Sequence, residues 1–110
     1  MLEHPHAATF GAQLHTPFRV LRSSAPTVEV ELVEVTERHE NDGKRPWATP
    51  RQECFSVLFR GARDQPVEQG MYHMRHHQLG DLELFLVPVG QDQNSVYYEA
   101  VFNRLRPADA

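Results

Sequence analysis

Histidine is the residue of this 110-residue chain best suited to hold a metal, and the densest group is His73-Met74-Arg75-His76-His77. On a helix, positions 73, 76 and 77 would share one face, as zinc ligands do. On a strand they diverge. His73 and His77 would share a face but stand about 13 Å apart at ~3.3 Å per residue, whereas zinc takes imidazole nitrogens at about 2.0–2.1 Å. Arg75 would place positive charge between them, and His76 would turn to the opposite face with Tyr72 and Met74. The surrounding alternation is that of a strand. His73, Arg75 and His77 are therefore expected on a solvated face, and His76 as a partly buried residue whose ring nitrogens bond to nearby backbone. His73, His76 and His77 stay as weak metal candidates, and no cofactor is expected. His4 and His6, near the terminus, read as solvent residues.

A nucleophilic Cys54 would need a base and a setting that stabilises its thiolate, but its neighbours Phe55, Val57 and Leu58 suggest packing instead. Glu29, Glu31, Glu34 and Glu37 supply carboxylates of the kind used in acid/base work or calcium binding. Their alternation is equally that of a charged outer strand face that keeps a sheet soluble and discourages edge pairing. The chain has no Gly-x-Ser-x-Gly elbow, phosphate-binding glycine loop, dinucleotide fingerprint or Cys-x-x-Cys pair, so no motif points to a reaction and none of its residues is expected to be catalytic. Residues 40–50 hold Asn-Asp-Gly and two prolines and read as a long loop, a place where binding elements concentrate. Its Trp47 either anchors a partner or folds back to cap the core, and Trp47 and Arg45 are the candidate partner-binding residues.

Charge and composition narrow the classes. The net charge of -4 and pI near 5.9 give no electrostatic reason to bind nucleic acid or an anionic membrane. No basic start precedes an apolar stretch at the N-terminus, and no apolar run approaches the ~20 residues that span a bilayer. A single cysteine excludes an intrachain disulfide and fits a reducing, cytoplasmic setting. At 40% hydrophobic and 24% charged, the chain is ordinary globular material for one core and one domain, ordered over about residues 8–106.

The elements that must position these residues are mostly strands. Residues 8–14 can form about two helical turns with Phe10 and Leu14 on one face, stopped by Pro17. Phe18 and Val20 begin a strand, and Val28, Val30 and Leu32 alternate with Thr27, Glu29 and Glu31 in the next. There the parity changes, because Val33 and Val35 follow Leu32 on the opposite phase; a bulge or barrel corner reconciles them. Residues 52–61, 72–78, 81–89 and 96–105 complete about six strands, with a hairpin at Leu79-Gly80-Asp81. The 81–89 strand is apolar on both faces and is expected to be the most buried, with Pro88 at an edge or just past the paired region. A polar loop over residues 90–95 precedes the last strand. The fold class expected is mostly β: a small antiparallel barrel or sandwich of about six strands with a short N-terminal helix, the barrel favoured.

The strings Phe55-Ser-Val-Leu-Phe-Arg-Gly, Gln69-Gly-Met-Tyr-His-Met-Arg-His76, Leu84-Phe-Leu-Val-Pro-Val89 and Tyr98-Glu-Ala-Val-Phe-Asn103 resemble a bacterial family of uncharacterised small β domains, a domain of unknown function. The resemblance covers roughly residues 10–103. It implies a bacterial origin and a compact β domain, and it carries over no reaction, ligand or site residue. The reading is a non-enzymatic structural or protein-interaction domain, docking a partner or a second copy through an edge strand or the Trp47 loop. The alternative is a β-barrel that binds a small ligand or a metal.

Overall fold

The computed structural model describes residues 6–23, 25–38 and 52–105. One short helix, α1 (Ala7–Gly11), precedes six strands: β1 (Pro17–Leu21), β2 (Val28–Arg38), β3 (Gln52–Ala62), β4 (Gly70–His76), β5 (Gly80–Gln91) and β6 (Ser95–Leu105). They close into an antiparallel barrel in the order β1-β2-β3-β6-β5-β4. Four of the five connections join neighbours in the wall. The exception runs over residues 63–69 and crosses one barrel end, from β3 to β4 on the opposite side of the ring.

Alternation builds the wall. Phe18, Val20, Val28, Val30, Leu32, Phe55, Val57, Phe59, Met74, Leu82, Leu84, Leu86, Tyr98 and Ala100 point inward and are buried, so the barrel is filled with side chains, as small barrels are. The parity change in β2 is met by a bulge. Leu32 faces Phe59 and Glu34 faces Leu58, leaving Val33 without a partner, so that Leu32 and Val35 both face the core.

The two ends are closed differently. At one, Phe10 of α1 is fully buried and its ring lies 6.4 Å from Phe18, 6.0 Å from Phe55 and 5.4 Å from Phe102. Five residues cannot hold a helix by propensity in water, so tertiary burial of Phe10 fixes α1 in place. The helix is shorter than the 8–14 expected from sequence. It ends at Gly11, the chain turns through His15 at φ 68°, and Leu14 is exposed rather than sharing the inner face of Phe10. At the other end, Val67 of the crossing segment is buried, and its N–H donates to Tyr98 Oη at 2.8 Å. Gly61 lies against the same ring: a Cβ there would stand 3.0 Å from Val30 Cγ1 and 3.3 Å from Tyr98 Cε2.

β5 corrects the expectation that it would be the most buried strand. It alternates: Leu82, Leu84 and Leu86 are buried, while Phe85 and Val89 are exposed on the outside. Pro88 pairs with Tyr98 of β6 beyond the end of the β4 ladder at Leu86, as a residue without an N–H requires, and the pairing is irregular between Pro88 and Gly90. β5 also runs on to Gln91, so the polar loop before β6 is shorter than the 90–95 expected.

Candidate functional site

The residues with the clearest capacity to meet a partner lie on the outer face of β4, β5 and β6. Phe85 is 46% exposed, Met71 directly across the β4 ladder is 63% exposed, and Val101 on β6 is 56% exposed. The β5–β6 register pairs Val87 with Glu99, so continuing it by two residues brings Phe85 level with Val101. The ladder stops short of that position. Among the described residues, the strand partner of residues 80–86 of β5 is β4 and that of residues 100–105 of β6 is β3. Among the described residues, residues 82–86 of β5 and Val101 of β6 thus have no ladder partner across the seam, and backbone N–H and C=O groups in this situation are templates for a further strand. Glu83 on β5 and Glu99 on β6 border the seam with negative charge.

The histidines are dispersed by the strand geometry. His73 faces outward, its Nε2 3.6 Å from Asp81 Oδ2, while Arg75 Nε donates to Asp81 Oδ1 at 3.0 Å. The Arg75 bond and then the positive charges of Arg75 and His73 hold the Asp81 carboxyl below its ordinary range. His76 is 2% exposed, its Nδ1 accepting the N–H groups of Gln78 and Leu79 at 3.1 Å each and its Nε2 lying 2.9 Å from Thr16 Oγ1. β4 ends at His76 rather than reaching 78, so His77 sits in the turn, its ring 4.5 Å from that of His76, and does not continue the His73 face. Among the described residues, no three His, Cys, Asp or Glu side chains stand together in a way that could hold a metal ion.

The acidic face of β2 is partly engaged. Arg60 Nη2 donates to Glu31 Oε1 at 2.5 Å and His15 Nδ1 lies 3.2 Å from Oε2; the Arg60 bond first and the His15 bond second lower the Glu31 pKa. These residues, with Pro17, Glu29 and Ser95, line a recess open to solvent on the outside of the wall. A second open recess at the crossing end is lined by Arg22, Glu68, Tyr72 and His73. Trp47, Arg45 and His4 lie outside the described residues, as does the side chain of Cys54, whose backbone pairs with Arg38 and Asn103. No helix among the described residues is long and apolar enough to cross a membrane.

Sequence reasoning missed the apolar outer face. Its signal was present, since residues 81–89 read as apolar on both faces, but two-sided apolarity describes a buried strand and a docking strand equally well.

A family model described as Domain of unknown function (DUF6916) matches residues 5–102. The chain belongs to that family. The match takes in α1, the first five strands and β6 as far as residue 102, so the ring and its α1 plug are the DUF6916 domain itself rather than an appendage to it. Neither a curated protein nor a solved structure matches the chain.

Proposed function

We propose that this DUF6916 domain is a non-enzymatic protein-interaction module, and that it captures an extended segment of a partner protein along the seam between β5 and β6. One observation carries the reading: among the described residues the β5–β6 ladder stops at Val87 and Glu99, beside exposed Phe85, Val101 and Met71. Strand addition draws affinity from main-chain bonds and specificity from alternate side chains. Phe85 and Val101 share the outward face with Glu83 and Glu99, so they select a segment whose outward positions, every second residue, carry apolar and basic side chains. The packed interior supports this over a small-ligand barrel, because Phe18, Phe59, Leu32, Met74 and Tyr98 occupy the space an interior ligand would need. The carboxylates with lowered pKa, Glu31, Asp81 and Asp92, have that shift accounted for by surface hydrogen bonds rather than by a catalytic cleft. We place the domain in the cytoplasm, on the strength of its single cysteine.

Selection of a displayed random peptide library against the purified domain tests the proposal. The expected result is enrichment of peptides with apolar and basic residues at every second position, which protect the amides of residues 80–86 from exchange and bind at least about tenfold more weakly to Phe85→Lys, a loss of about 1.4 kcal/mol. Peptides that bind elsewhere, or a domain that associates only with itself through this face, would overturn it.

A further inference from the structure

His76 joins three segments at the plugged end of the barrel. Its Nδ1 accepts two backbone N–H groups of the β4–β5 turn, so that nitrogen carries no proton, and the ring is the neutral tautomer with its hydrogen on Nε2. Nε2–H therefore donates to Thr16 Oγ1, and the Thr16 hydroxyl donates onward to the Gln13 carbonyl at 2.6 Å. The chain of bonds runs one way, from the turn through His76 and Thr16 into the segment that follows α1. A Gln13 Nε2 to Gln78 Oε1 bond at 2.7 Å spans the same gap. The face of the ring lies 4.3 Å from Phe18.

We propose that His76 is a pH-operated latch, whose protonation releases the β4–β5 turn from the barrel end. A proton on Nδ1 would point at two N–H donors and leave donors facing donors, which only separation relieves. Among the described residues, the charged groups on the surrounding elements offer the imidazolium no compensation. His77 in the turn adds like charge; Arg19 on β1 belongs to its exposed positions; on β4 and β5, Arg75 and His73 face Asp81; and beyond α1, His15 faces Glu31 with Arg60. Burial first and His77 second depress the His76 pKa, so the sign is fixed. The latch is closed above the ordinary imidazole value and opens as pH falls through the lower folded one.

Amide exchange and imidazole NMR from about pH 7.5 to about pH 5, the range in which histidine switches, provide the test. After correction for the intrinsic pH dependence of exchange, the amides of Gln78 and Leu79 are expected to lose protection together, by up to about tenfold per pH unit between the ordinary imidazole value and the lower folded one and levelling off below it, as one proton uptake requires. The amides shared by β3 and β6 should keep theirs. His76→Asn, whose Oδ1 can still accept from the turn but does not titrate, should abolish the response, and His77→Gln should retain it. Titration of His76 in the wild type without loss of protection at Gln78 and Leu79, or an equal response in His76→Asn, would overturn the latch, and the wild-type measurement stands even where the variant does not fold.

Discussion

Tyr98 is fully buried, yet its hydroxyl is the acceptor for the Val67 backbone N–H, which holds the crossing segment over the barrel end. Tyr98→Phe keeps the ring and strands the Val67 N–H, so urea unfolding should show a loss of about 1–3 kcal/mol, the cost of a buried donor without a partner. Gly61 is constrained by the same ring. Gly61→Ala should lose about 1–3 kcal/mol through overpacking, because Val30 Cγ1 and Tyr98 Cε2 already stand where the methyl would go. Surface pairs matter less. Glu31 is held ionised by Arg60 and His15, so its contribution is present above the ordinary carboxylate value and fades as pH falls through the lowered one. With both side chains solvated, Arg60→Gln should lower the urea midpoint only slightly at pH 7, and salt should shrink the difference. Strand parity alone puts His76 on the inner face, but its acceptor role depends on a turn that brings Gln78 and Leu79 back onto Nδ1, which spacing does not encode.

Among the elements, α1 depends most on what it touches. Phe10 is its one large anchor, and Phe10→Ala should destabilise by about 3–5 kcal/mol in denaturant unfolding while leaving α1 with nothing to hold it. The sequence announced this helix but misjudged its extent, because Leu14 continues the helical spacing while its surroundings leave it in solvent. The strands were more legible. Alternation located all six, and the phase change at Leu32-Val33 announced the bulge before any coordinate did. β5 was misread for a physical reason. Burial on two faces and a partner-seeking outer face produce the same run of apolar residues, and only the neighbours of Phe85 distinguish them.

Across the whole molecule, closing the ring requires β1 to find β4 and β3 to find β6, pairs far apart in the chain. Hairpin signals report neighbours in sequence, which is why barrel and sandwich stayed open until the order of strands was known. The same long-range pairings should slow folding, and stopped-flow circular dichroism is expected to show refolding in milliseconds to seconds rather than microseconds. The bulge at Val33 has a consequence of another kind, in the gene rather than in the fold. β3 runs unbroken against β6 from Gln52 to Ala62, so losing a codon at Leu58 would turn Phe55 and Phe59 to opposite faces. Losing the codon for Val33 would leave Leu32 facing in, Glu34 out and Val35 in. Val33 is therefore a place where this chain can change length by one residue and keep its inside and its outside apart.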